Sequence, residues 1–416
     1  MNVGFNSAIL IAGGVVLALS LVAGYFKNKL WIGESLICIL LGTFLGPHVS
    51  GLVDPDKLPV DKYFALEELA RLTLCIAVMA AALRMPRHYL SNAYLSVAMA
   101  IGPLMLCTWA ASAAAAYFVL QLPLLLSLLI GAALAPTDPV VAGAIVNGKV
   151  AKENVPARMR NLLTAESGAN DGLALLFVML PILLIGETAR AAWTEWLVRV
   201  LIWEILGGAA LGVLFGWGAG RLFKWARRQP VSEPQSIMTI ALALSIVVLA
   251  ATRLMGSDGI LATFAAGVAF SQVAGPELQK QEHLQEAVER FFDLPVFVLI
   301  GIMLPWDAWV SFGWQGPAFS IAVLLLRRPL FWIIARRAIP KVASLNEAAF
   351  LGWFGPVGVS TIYYLTFSKE DAGTSILWEA GSMVAFVSVL IYGVSATPLA
   401  RSFRAGRKDF HQERLD

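Results

Sequence analysis

Residues 135–177 read "APTDPVVAGAIVNGKVAKENVPARMRNLLTAESGANDGLALLF". Two apolar runs, each continuing far enough to cross a bilayer, carry Asp138, Glu166 and Asp171 near their middles, and a basic linker joins them. A carboxylate in hydrocarbon is costly, and at that depth it usually marks an ion or proton pathway. The stretch predicts a membrane-embedded protein that handles ions, and it leaves three buried acids to be given roles.

The 416-residue chain is 58% hydrophobic and 14% charged, with a formal net charge of +3. Soluble proteins carry roughly a quarter charged residues, whereas here apolar stretches recur from end to end with short loops between them. The expectation is an all-α polytopic membrane protein, one membrane domain over 1–416 with no soluble domain. The opening "MNVGFNSAILIAGGVVLALSLVAGYFKNK" has too long an apolar core, and no basic lead, for a cleavable signal peptide, so it reads as the first span. Cys38, Cys75 and Cys107 lie in apolar runs without metal-ligand spacing and read as packing residues. His48, His88, His283 and His411 fall at span ends or in loops and read as solvated. There is no nucleotide-binding loop, no HExxH and no protease-type aspartate pair. Neither an enzyme nor a cofactor nor a nucleic-acid partner is expected; the expected partners are small inorganic cations, protons and the lipid bilayer.

At about 20 apolar residues per membrane helix, spans fall near 5–25, 31–47, 66–85, 91–119, 122–147, 157–186, 193–219, 235–254, 257–275, 284–304, 316–338, 345–367 and 375–400, about thirteen in all. The distribution of Lys and Arg tests this division. Basic clusters follow the odd-numbered spans, from Lys27 and Lys29 through Arg84 and Arg87 to Arg401 and Arg404, while the loop after span two is acidic (Asp54, Asp56, Asp61, Glu67). The positive-inside rule then puts the N-terminus outside and the short tail 401–416 in the cytoplasm of a cell (inner or plasma) membrane.

In span five, Pro136 and Pro139 bracket Thr137 and Asp138. Two prolines this close delete two backbone donors and clash with preceding carbonyls, so an unwound segment is expected. Span twelve, "AAFLGWFGPVGVSTIYYL", carries a second break at Gly352, Gly355, Pro356 and Gly358. The two breaks occupy the fifth place in spans one to six and in spans eight to thirteen, the pattern of an inverted-repeat secondary transporter with two broken, crossing helices. Broken ends at the midplane are tolerable only where they line a cavity or face other protein.

In "NLLTAESGANDGLALLFV", Glu166 and Asn170 share one helix face, and Ser167 and Asp171 share the adjacent one. The Ser167/Asp171 pair offers hard oxygen donors suited to a small alkali cation; the Glu166/Asn170 pair reads as structural. Span eleven, "SIAVLLLRRPLFWIIARR", buries Arg327 and Arg328, which need a counter-charge. Glu166 is the candidate, and the sequence does not say which arginine it meets. Asp171 then remains free to titrate, holding a cation when deprotonated and none when protonated. Competition between proton and cation for one carboxylate, exposed alternately to each side, is the minimal description of an antiporter. Asp258, Glu289, Arg290 and Asp293 are candidates for lining an access path, while Glu34, Glu204, Glu347 and Glu379 read as packing residues. The alternative from another class is a cation channel or a non-transporting sensor; a channel needs a continuous polar pore, and spans five and six are too sparsely polar for one.

"PTDP" followed by "LLTAESGANDG" resembles the cation/proton antiporter superfamily, and within it the sodium/proton exchangers of the electroneutral Asn-Asp branch. The strings "GKVAKENVPARMRNLLTAESGANDG", "GSDGILATFAAGVAFS", "FVLIGIMLPW" and "GWFGPVGVSTIYY" are similar to the fungal plasma-membrane alkali-cation/proton antiporters, and the resemblance runs over nearly all the spans. It implies exchange of sodium, lithium or potassium for protons in pH and salt homeostasis. It also implies a homodimer whose six-helix core moves like an elevator, with the core formed mainly by spans within 66–186 and 284–400 and the dimerisation part by the rest. The resemblance makes Asp171 the cation and proton carrier, with Ser167 and Thr137 as further cation ligands. Asp138, with the Thr137 backbone, sits at the helix crossing, and Glu166 and Asn170 join the buried arginine. Asn170 in place of a second acid implies one charge exchanged for one. Two departures stand out: some bacterial members carry a glutamate in span three where Ala80 stands here, and many carry an arginine where this chain has Val357.

Overall fold

The structure, a computed structural model, describes residues 10, 13–19, 21, 31–57, 60–138, 141, 143–146, 148–229, 237–275 and 282–405. Most of the expected first span, the tail beyond 405 and Pro139 lie outside the described residues. The principal helices are α1 (Glu34–Leu45), α2 (Lys62–Arg84), α3 (Tyr94–Val119), α4 (Leu124–Ala133), α5 (Gly148–Asn154), α6 (Ala157–Gly186), α7 (Ala189–Arg227) and α8 (Ile237–Leu254). They continue as α9 (Gly259–Ala274), α10 (Glu282–Ile302), α11 (Gln315–Leu326), α12 (Pro329–Ala335), α13 (Leu345–Trp353), α14 (Val359–Phe367) and α15 (Ile376–Ala405). Among the described residues five helices are long and apolar enough to cross a membrane: α3, α6, α7, the segment Gln315–Ala338 and Ile376–Phe403 of α15.

Local chemistry sets several of the starts. Asp61 accepts from the backbone N–H groups of Tyr63 and Phe64, both at 2.9 Å, and Asp258 does the same for Ile260 (3.0 Å) and Leu261 (3.2 Å). A carboxylate there satisfies donors that the first turn leaves orphaned and complements its positive end. Asp258, a candidate for lining an access path, is thus also the N-cap of α9. Within α7, residues Trp196–Gly207 wind as a π-helix, and Glu204 on that wider turn pairs with Arg199 at 3.0 Å.

Where helices meet, small residues allow backbone-to-backbone contact. Gly212 and Gly216 of α7 face the carbonyls of Ala262 and Ala266 of α9, and a Cβ at either glycine would run into that carbonyl. Gly42 of α1 and Gly301 of α10 stand in the same relation to Val298 and Ile39. Lipid offers little hydrophobic drive between helices, so close packing of small residues holds such pairs together.

Among the described residues the helical order within an expected span fails at three places. Between α4 and the turn at Gly143–Val146, residues Leu134–Asp138 leave the helix, as the prolines of span five predict. Between α13 and α14, residues Phe354–Gly358 have no regular secondary structure; Gly352, expected in this break, instead stays helical and packs on Pro329. The third interruption corrects the reading of span eleven as one helix: α11 ends at Leu326 and α12 begins at Pro329, with Arg327 and Arg328 between them. Proline has no N–H to continue the ladder, and its ring opposes a helical conformation at the preceding residue. The first two breaks meet directly, the Asp138 N–H donating to the Pro356 carbonyl at 2.9 Å.

Replacing Gly216 by leucine must push α7 off α9, and overpacking of this kind costs about 1–3 kcal/mol. The purified Gly216→Leu protein is expected to melt several degrees below the parent in detergent, while Gly218→Leu, with nothing within 4 Å of its Cβ position, leaves the melting temperature unchanged.

Candidate ion-binding site

Two interrupted helices expose backbone ends at their crossing, and two buried side chains answer them. Helices α4 and α13 arrive with unpaired C-terminal carbonyls, which carry partial negative charge. Arg327, 1% exposed, donates to the carbonyls of Leu134, Pro136 (3.3 Å) and Gly355, so one guanidinium holds both breaks. Helix α14 leaves from the same place with its positive end inward. Asp138 caps it: Oδ2 accepts from the Val359 N–H at 2.5 Å and Oδ1 from the Val141 N–H at 3.3 Å. Each charge thus lies against the helix end of opposite sign.

Arg328 has a different partner. Its Nη1 and Nη2 grip both carboxylate oxygens of Glu166, the second at 3.1 Å, and Nη2 also reaches the Leu351 carbonyl at 3.2 Å. The guanidinium lies 5.3 Å from the Trp332 ring centroid. Gly355 makes room, since a Cβ there would overlap the Arg328 side chain. The break before Pro329 sends consecutive arginines to different helices, so Glu166 meets Arg328 and not Arg327. Two-point pairing with further hydrogen bonds is the geometry that lets a buried ion pair repay its desolvation.

The remaining polar residues of α6 turn toward the first break. Ser167 Oγ lies 3.1 Å from Thr137 Oγ1, and Asn170 donates from Nδ2 to Thr137 Oγ1 at 2.9 Å. Asn170 Oδ1 also accepts from the Thr137 N–H at 3.4 Å. This corrects one expectation: Asn170 braces the unwound Thr137, and Glu166 meets the arginine without it. The i, i+4 spacing gave a shared face, but the splayed side chains reach different neighbours.

Asp171 is fully buried, and among the described residues neither carboxylate oxygen has a hydrogen-bond partner. The hydroxyl of Ser360 lies against it without hydrogen-bond geometry. One turn along α14, the Tyr364 hydroxyl donates to the Asp171 backbone carbonyl at 2.5 Å. The sequence singles out neither residue, since "GVSTIYY" marks only a break there. The signal that could have found them is the spacing of Ser360 and Tyr364, which puts two hydroxyls on one helix face. Asp171 thus keeps two unpartnered carboxylate oxygens one helical turn from Ser167, whose hydroxyl meets that of Thr137.

Other charges are engaged elsewhere. Arg158 clasps Glu347 at 2.7 and 2.6 Å, Arg84 reaches Glu289 at 2.5 Å, and Arg290 reaches Glu34 at 3.1 Å. Glu289 and Arg290, expected along an access path, are thus held in ion pairs, while Asp293 is buried with Oδ1 unpartnered. Ala80 is a buried residue of α2, and the Val357 N–H donates to Ser388 Oγ at 2.7 Å.

The family model described as "Sodium/hydrogen exchanger, transmembrane" matches residues 16–402. A probable Na(+)/H(+) antiporter of Schizosaccharomyces pombe is 32% identical over 373 residues, 88% of this chain and 49% of that protein. Na(+)/H(+) antiporter 2 of Zygosaccharomyces rouxii is 31% identical over 361 residues, 85% of this chain and 44% of that protein. The chain therefore spans about half the length of these curated relatives. The solved sodium proton antiporter MjNhaP1 from Methanocaldococcus jannaschii superimposes with a TM-score of 0.77 at 19% identity, over 97% of this chain and 99% of that one. The fold is that of an all-helical, multi-pass membrane protein.

Removing one partner of a buried ion pair strands the other and costs about 3–5 kcal/mol. Glu166→Gln is expected to lower the melting temperature sharply, and Glu166→Gln combined with Arg328→Met to recover part of the loss. A double variant as unstable as the two single losses added together would show that the pair is not coupled.

Proposed function

The chain belongs to the sodium/hydrogen exchanger family, and on that premise we propose that it exchanges cytosolic sodium for external protons at Asp171. Lithium and potassium are the competing cations. The observation that carries this reading is that Asp171, among the described residues, has both carboxylate oxygens buried and unpartnered. Glu166 is held by Arg328 and Asp138 caps α14, so neither has Asp171's freedom to change partners. Deprotonated Asp171, with the hydroxyls of Ser167 and Thr137, binds the cation; protonation displaces it. Asn170 adds no second titrating acid, which supports one charge exchanged for one and an electroneutral cycle.

The same reading extends to architecture. About thirteen spans form two inverted repeats, with the broken helices of spans five and twelve crossing at the site. The matched positions of the two breaks and the contact between them support this arrangement. The spans within 66–186 and 284–400 form most of a core that carries the site across the membrane, against a dimerisation part built from the others. The alternation of basic clusters supports an N-terminus outside and a C-terminus in the cytoplasm of the plasma or inner membrane.

In proteoliposomes holding the purified chain, adding sodium should dissipate a preset pH gradient without a permeant counter-ion, and Asp171→Ala should abolish the effect. Because protons compete for the same oxygens, the half-saturating sodium concentration should rise as pH falls. Exchange that persists in Asp171→Ala, or a half-saturation independent of pH, would contradict the proposal.

A further inference from the structure

We infer that Ser360, on the second interrupted helix, contributes an oxygen to the cation held at Asp171 and helps set which alkali cation binds. The inference rests on the reading of Asp171 given above.

The position of Ser360 is fixed from both sides. The preceding residue, Val359, is tied through its N–H to Asp138. One turn later Tyr364 is tied through its hydroxyl to the backbone carbonyl of Asp171. Ser360 and Tyr364 share a helix face, so the first turn of α14 presents the Ser360 hydroxyl to the Asp171 carboxylate. Ser360 is 0% exposed, as is Asp171.

A buried serine or threonine in a helix can donate back to the carbonyl four residues earlier. Ser320 does so to Gly316 at 3.1 Å, Thr366 to Ile362 at 3.0 Å and Thr263 to Gly259 at 2.8 Å. Ser360 does not. The residue four before it is Pro356, which lies in the break and whose carbonyl accepts the Asp138 N–H at 2.9 Å. The interruption thus frees the Ser360 hydroxyl from its helix at the point where two carboxylate oxygens of Asp171 also lack partners. An unpaired buried hydroxyl beside an unpaired buried carboxylate is expensive on both sides, and a small cation between them satisfies three oxygens at once.

A hydroxyl suits both states of the cycle because it can donate and accept. With Asp171 protonated, Ser360 can accept the carboxyl proton in a hydrogen bond. With a cation bound, the hydroxyl turns to offer a lone pair. The ligand set then draws on both interrupted helices and on α6, with Thr137, Ser360, Ser167 and Asp171 as its oxygen donors, so cation binding depends on how the two breaks sit against one another.

The test compares sodium, lithium and potassium exchange by the full chain and by Ser360 variants in proteoliposomes. Loss of one oxygen to a bound charge should raise the half-saturating sodium concentration about tenfold in Ser360→Ala, with the maximal rate within about twofold of the parent. The sodium-to-potassium preference should shift with it. Ser360→Thr, which keeps the oxygen, should restore sodium half-saturation. Should Ser360→Ala fold poorly, Ser360→Cys replaces a hard donor with a soft one in similar volume and should give the same rise. Unchanged half-saturation and unchanged preference in Ser360→Ala would overturn the inference, as would a fall in maximal rate alone. A parent chain that exchanges no monovalent cation would instead remove the functional reading beneath it.

Discussion

Interrupting a helix at hydrocarbon depth leaves backbone groups that lipid cannot satisfy, and the grip of Arg327 on both interruptions is what makes the rest of the structure possible. A single guanidinium takes carbonyls from Leu134, Pro136 and Gly355. Its five fixed donors suit this task, whereas a lysine would offer one point of charge. With the negative helix ends held, Asp138 can take the positive end of α14, and the backbone bond from Asp138 to Pro356 locks the two breaks together. The crossing is electrically closed before any ion arrives.

That closure separates the three acids of residues 135–177. Asp138 belongs to a helix end and Glu166 to Arg328. Asp171 belongs to neither, and its backbone is nonetheless fixed by the Tyr364 hydroxyl. A carboxylate with a held backbone and unpaired oxygens is preorganised for a ligand, because binding need not break an existing bond. The neighbouring Thr137, Ser167 and Asn170 form a hydrogen-bonded unit of their own, which holds the unwound segment in place against α6.

Much of this was legible in the sequence, and the unreadable parts have physical causes. Paired prolines around Thr137 and Asp138 announce a break because proline cannot donate to the ladder, and buried charges of opposite sign announce a pairing because neither can stand alone in hydrocarbon. The assignment of Arg327 and Arg328 could not be read, since it depends on the backbone turn before Pro329, which the pattern of apolar residues does not encode. That Asn170 faces Thr137 is hidden for a similar reason: helical spacing reports which residues share a face and says nothing of what lies opposite. Ser360 is not legible because a serine in an apolar helix can bond its own backbone, and the residue that would accept, Pro356, lies in the break with its carbonyl taking the Asp138 N–H.

The central claim is that one carboxylate, Asp171, takes either a proton or a cation and never both. Proton release on cation binding measures this directly, in weakly buffered detergent solution with a pH indicator. A ligand that must be deprotonated to bind a cation gives up its proton on binding, so the account predicts release of about one proton per sodium bound at a pH where Asp171 is protonated. Asp171→Asn should release none. Sodium binding without proton release, or the same release from Asp171→Asn, would contradict the account.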